Sequence, residues 1–134
     1  VKALMDQLNT LHAFGFNHCI VTRYADGQDC IGAHSDKTKD FAQDSWFCVL
    51  KLGATRPFSF IDLKGNTVFH KSLAAGTAIF VRTGEGSANA RLKHCVPGVD
   101  GPCGASGSLV FRNIKTVVPW SEVLPAVDKR AARP

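Results

Sequence analysis

The apolar positions of the chain change their spacing once. In the opening stretch VKALMDQLNTLHAF, Leu4, Leu8 and Leu11 recur at helical intervals, and Gly15 is the expected stop. Beyond it the texture becomes that of strands. HCIVTRYADGQDCIGAHSD reads as two short strands around a D-G turn at Asp26 and Gly27. SWFCVLKLG, RPFSFIDL, TVFHKSL, GTAIFVRT and GSLVFRNI are further short runs rich in Val, Ile and Phe. Turn residues separate them at Gly53, at Lys64, Gly65 and Asn66, at Ala75 and Gly76, and from Gly84 to Gly86. Seven or eight short strands with turns roughly every ten residues predict a mainly β fold, a sandwich or jelly-roll barrel with a short N-terminal helix, rather than alternating βαβ units. No internal repeat or low-complexity segment interrupts the pattern. The stretch from Pro119 to Pro134 is mixed in character and is expected to be a partly loose tail.

At 134 residues the chain suits one domain, with a barrel expected over 16–115. Hydrophobic residues at 45% against 20% charged describe a folded, soluble protein. No apolar run approaches the roughly 18–20 residues of a membrane helix, and no signal-peptide pattern opens the sequence. The first residue is Val1 rather than Met, the expectation for a processed product or a piece of something longer. Cys19, Cys30, Cys48, Cys95 and Cys103 form an odd set without a C-x-x-C pair. That argues against a disulfide framework or a cysteine zinc site and points to reduced thiols inside the cell, in cytoplasm or nucleus. A formal net charge of +5 permits a phosphate-bearing partner without requiring one. A monomer is the default.

One pair of residues changes the picture. In CIGAHSDKTKD, His34 and Asp36 leave a strand two positions apart, and side chains at i and i+2 of a strand share a face. A third metal ligand must then come from a distant strand. His12, His18 and His70 flank the opening helix, the first strand and a hairpin, where a surface or capping role suffices. His94 ends the strand-like ARLKH and leads into CVPG. Two histidines and a carboxylate make the facial triad suited to non-haem Fe(II), with three positions left open.

H-x-D alone is common. The whole order is more specific: strand, H-x-D, a set of strands, a lone His, then Arg112 in SLVFRNI. In TRYADGQDCIGAHSD, LKLGATRPFSF, AAGTAIFVRTG and KHCVPG followed by SLVFRNI, the sequence resembles the AlkB-type Fe(II)/2-oxoglutarate dioxygenases over most of residues 17–115. The resemblance implies a double-stranded β-helix in which His34, Asp36 and His94 bind iron. It also implies that Arg112 pairs with the 2-oxoglutarate carboxylate beside the keto group, while Tyr24 reaches the far carboxylate. Arg suits such a role because its fork is bidentate and always charged.

Three departures matter. Ser106 stands where the family has a second Arg, the clamp on the far carboxylate; Thr22 stands for an Asn; and Lys51 stands for a small residue. Related dioxygenases hold that carboxylate with a Lys on the strand after H-x-D, so Lys51 is expected to replace the missing Arg. Alternation gives one face to Val49, Lys51 and Gly53 and the other to Cys48, Leu50 and Leu52. Arg91 and Lys93, on the strand ending in His94, have the wrong parity for the cosubstrate. Residues 1–16 leave no room for all of the family's nucleotide-gripping lid, so either the lid lies outside this sequence or the substrate is held otherwise. On the family resemblance and the mild basicity, the leading function is oxidation of a methylated DNA or RNA base, with release of succinate and carbon dioxide. Hydroxylation of a protein side chain or small molecule, and a non-catalytic AlkB-like binding module, remain alternatives.

Overall fold

The computed structural model describes residues 1–118; the stretch from 119 to 134, where the loose tail was expected, lies outside the described residues. The elements follow the sequence in order: α1 (Lys2–Leu11), β1 (His18–Tyr24), β2 (Ile31–His34), β3 (Trp46–Gly53), β4 (Arg56–Asp62), β5 (Thr67–Leu73), β6 (Ala78–Arg82), α2 (Ala88–Arg91), β7 (Leu92–Val96) and β8 (Ser106–Arg112). The strands form two four-stranded antiparallel sheets, ordered β1-β8-β3-β6 and β2-β7-β4-β5. Among the described residues no ladder joins the two sheets, so the expected closed barrel is not formed; the fold is mainly β, with two open sheets. No helix of the described residues is long and apolar enough to cross a membrane.

Alternation along β3 assigns the two faces of the first sheet. Cys48 packs with Leu8, Phe16, Leu109 and Phe111 in the cluster that α1 covers. Phe47 and Val49 pack with Phe41 and Val81 in a second cluster, against which Phe60 of the other sheet lies. A third cluster joins Tyr24 of β1 to Phe58, Leu73 and Val96 of the second sheet. The interior therefore lies between the sheets, and Lys51 follows Val49 into it, 1% exposed. Burying a lysine this completely is costly unless something answers its charge.

Four expectations change. The helix stops at Leu11, short of Gly15, and Leu11 is 78% exposed rather than packed. Aromatic docking is the reason. Phe14 stacks on Phe16 and Phe80, and the Asn9 side chain both accepts from the Phe16 N–H and donates to the Phe16 carbonyl, turning the chain back early. Gly15, at φ +66°, makes that turn against Asn113. Second, Asp26 and Gly27 close no hairpin, because β1 pairs with β8 and β2 with β7. Their loop is a crossover between sheets, held by the Arg56 guanidinium, which donates to the carbonyls of Asp26 (2.7 Å), Asp29 (2.6 Å) and Pro97 (3.0 Å).

Third, ARLKH is not one strand. Ser87 caps the short α2, its hydroxyl accepting from the Ala90 N–H, and β7 begins at Leu92 with His94 at its centre. Arg91 thus lies on the helix, while Lys93 is exposed on the side away from His94, as its parity required. Fourth, β2 ends at His34, so Asp36 belongs to the following loop and strand alternation does not aim it.

Candidate metal centre

His34 and His94 are cross-strand partners. The β2–β7 register runs from Ile31 opposite Val96 to His34 opposite His94, so β2 carries one extra residue between the two pairs. That bulge resets the alternation and turns both Ile31 and His34 toward one cavity. The imidazole centroids are 4.4 Å apart. The Gly32 carbonyl, 2.9 Å from His34 Nδ1, has no proton to give, so Nδ1 donates and Nε2 presents its lone pair to the cavity.

His94 sits deeper, beside Phe47, Phe58 and Phe60, with the Phe58 ring stacked at 15°. Burial among these rings pushes its pKa down to about 4, and His34 and Arg112 nearby push the same way against the opposing pull of Asp36. A neutral imidazole is the form that ligates.

Asp36 completes the set from the loop. Its Oδ1 lies 3.6 Å from His34 Nε2 and 3.8 Å from His94 Nε2, with its side chain 5% exposed. Among the described residues His34, Asp36 and His94 are the cluster whose ligand atoms, one from each, all lie within 4.8 Å of one another. Donors around an ion at 2.0–2.2 Å sit about 3 Å apart when adjacent, so small side-chain shifts would let these three share one divalent ion. The donor set, two imidazole nitrogens and a carboxyl oxygen on one side of an open cavity, fits Fe(II).

Arg112 leaves β8 on the cavity side and donates from Nη2 to Asp36 Oδ2 at 2.6 Å. Its Nε is buried without a partner among the described residues. The cavity, about 200 Å³, is lined by Tyr24, Ser108 and Thr22 besides His34, Asp36, His94 and Arg112. Tyr24 is 2% exposed; burial raises its pKa, and a hydrogen bond with Ser108 works against that. Lys51 is the register partner of Ser108, and its Nζ lies 5.3 Å from the Tyr24 ring centroid. Lys51 Nζ and Ser106 Oγ are both buried with no hydrogen-bond partner among the described residues. Burial pushes the Lys51 ammonium below the usual lysine range, and the Arg56 guanidinium adds to that.

Of the six expected site residues, His34, Asp36, His94, Arg112 and Tyr24 line this cavity, whereas Lys51 does not and lies behind it, beside the Tyr24 ring. His12 stays exposed, and His70 is exposed with its Nδ1 2.7 Å from Ser59 Oγ, while half-buried His18 lies on β1 outside the cavity wall. Two residues escaped sequence reasoning, Arg56 and Asn89. Nothing in RPFSF marks its Arg as fully buried, and Asn89 acts only on the backbone of Asp36.

No protein-family model matches the chain. Among curated proteins it is 33% identical over 60 residues to the DNA oxidative demethylase ALKBH2 of Bos taurus, a match covering 45% of this chain and 22% of that protein. The chain is thus similar, in part, to an AlkB-type oxidative demethylase.

Proposed function

We propose that this chain is the core of an Fe(II)/2-oxoglutarate-dependent dioxygenase that oxidises a methylated base in DNA or RNA. The observation that carries the reading is the meeting of His34, Asp36 and His94, drawn from two strands and a loop, within 4.8 Å of one another. Strand pairing supports it: β1 with β8, β2 with β7, β3 with β6 and β4 with β5 is the nested pairing of an eight-stranded double-stranded β-helix. So does the partial similarity to an oxidative demethylase.

Fe(II), 2-oxoglutarate and dioxygen together would supply the oxidation of a substrate C–H bond, one oxygen atom going to the substrate and the other to succinate as carbon dioxide leaves. His34, Asp36 and His94 would hold the metal. Arg112, fixed by Asp36, keeps Nε for the carboxylate beside the keto group. Lys51 would take the far carboxylate, with the Tyr24 and Ser106 hydroxyls as further donors. Lys51 and Arg112 belong to facing positions four residues apart along β8, about 13 Å of strand. Two long cations and a five-carbon diacid fill that span. Phe47, Phe58 and Phe60 keep water from the inner imidazole.

A test of the substrate follows. Single-stranded methylated DNA and RNA oligonucleotides, incubated with the chain, Fe(II) and 2-oxoglutarate, should lose or oxidise a methyl group by mass. Binding should weaken steeply with salt as phosphate contacts are screened. Turnover of 2-oxoglutarate without change in any oligonucleotide would move the substrate to a protein side chain or small molecule.

Lys51→Met separates function from stability. It should raise the 2-oxoglutarate KM tenfold or more, about 1.4–3 kcal/mol for a lost charged hydrogen bond, with metal binding intact. The ligand-free variant should also melt higher, because a buried charge without a partner is gone. The sign with pH is fixed by the lowered pKa. The unfolded chain binds the Lys51 proton more tightly, so this lysine costs stability below its depressed pKa, and the cost fades as pH climbs toward 10.5. Cys48, raised to about 11, and Tyr24 act in the opposite sense at alkaline pH. The difference between parent and variant isolates Lys51: it should shrink as pH rises. A KM within twofold of the parent would remove Lys51 from the cosubstrate site.

A further inference from the structure

The centre has one ligand that no strand aims. Asp36 lies two residues beyond the end of β2, in a loop of mixed polarity. Its backbone is held from the far side of the chain by Asn89, which is 7% exposed. Asn89 Oδ1 accepts from the Asp36 N–H at 3.1 Å, and Asn89 Nδ2 donates to the Asp36 carbonyl at 3.1 Å. One primary amide thus satisfies both backbone groups of one residue, as a neighbouring strand would. A third bond runs beside these two, the Ser35 hydroxyl donating to the carbonyl of Leu92, the first residue of β7, at 2.9 Å.

These contacts tie the loop carrying Asp36 to α2, and α2 runs directly into β7, which carries His94. From this geometry we infer that Asn89 is a positioning residue for the metal centre, setting the place of the Asp36 carboxylate relative to His94. The inference rests on the metal-binding reading above and adds to it a residue remote from the metal. An amide is the side chain suited to the task, because it alone offers a donor and an acceptor side by side without charge. Asp would repel the Asp36 carbonyl, and Ala would leave both backbone groups unanswered.

Outer partners that orient ligands typically govern metal affinity by 10–100-fold. Asn89→Ala should therefore weaken Mn(II) binding at least tenfold, measured calorimetrically on folded chain below its melting range. The Mn(II) spin-resonance spectrum should broaden as the carboxylate loses its fixed place. Asn89→Gln, which keeps the amide, should recover part of the affinity, while Asn89→Asp should not. If Asn89→Ala does not fold, the Gln and Asp variants carry the comparison. A merely structural residue would lower the melting temperature and leave the Mn(II) Kd of the folded protein unchanged. Mn(II) affinities within twofold of the parent in the folded variants overturn the inference while leaving the metal centre standing. Absence of Mn(II) binding by the parent chain overturns both.

Discussion

His34→Ala should abolish metal-dependent conversion of 2-oxoglutarate to succinate while leaving the chain folded. The imidazole side chain is 42% exposed and its one hydrogen bond is to the nearby Gly32 carbonyl, so its loss should change stability by no more than about 0.5 kcal/mol. The metal would lose one of three protein ligands. Affinity should fall by more than the 10–100-fold that outer partners control. Asp36→Ala should be equally inactive, but it is less clean, because it also strips Arg112 of the carboxylate that holds it at 2.6 Å. Undiminished turnover in the His34 variant, with folding shown by circular dichroism, would remove this residue from the centre.

The second large effect is on stability. Arg56 is 0% exposed, and its guanidinium reaches the carbonyls of Asp26, Asp29 and Pro97 within 3.0 Å. It joins the β1–β2 crossover to the loop after β7, and the crossover leads straight into the strand that ends in His34. Arg56→Met would leave those carbonyls without their donor in a place water reaches poorly. The expected cost is about 3–5 kcal/mol, a large share of the 5–15 kcal/mol typical of a domain. Arg56→Lys should not restore it, since one ammonium does not span three carbonyls as a planar fork does. The denaturation midpoint reads the outcome, and a loss below about 1 kcal/mol would show that the staple is not what holds the crossover.

Much of the strand content was legible because Val, Ile and Phe runs alternate with glycine-bearing turns at Gly53, Gly65 and Gly76. The inward placement of Lys51 was legible for a related reason: β3 is regular, and period two assigns Val49 and Lys51 one face. Irregular backbone was not legible. The bulge in β2 changes which residues share a face, and one extra residue leaves no mark in IGAH. The end of α1 was misplaced because Phe14 and Phe16 dock on the sheet, a tertiary contact that outweighs local helical spacing. The D-G pair suggested a hairpin because turn chemistry is local, whereas the strand partners, β8 and β7, lie far along the chain. His34, Asp36 and His94 were legible as residue types in order. The amide that fixes Asp36 was not, since an Asn in ANAR carries no signal of what it touches.

His34, Asp36, His94, Arg112 and Lys51 should bind a divalent iron and a keto diacid together. This is tested most directly by anaerobic calorimetry of 2-oxoglutarate binding, with and without Fe(II), to the parent chain and to Lys51→Met, followed by succinate measurement on admitting oxygen. The expected result is 2-oxoglutarate binding that is strengthened by Fe(II) and weakened at least tenfold in the variant, with Fe(II)-dependent succinate in the parent. Binding indifferent to Fe(II), with no succinate formed, would contradict it.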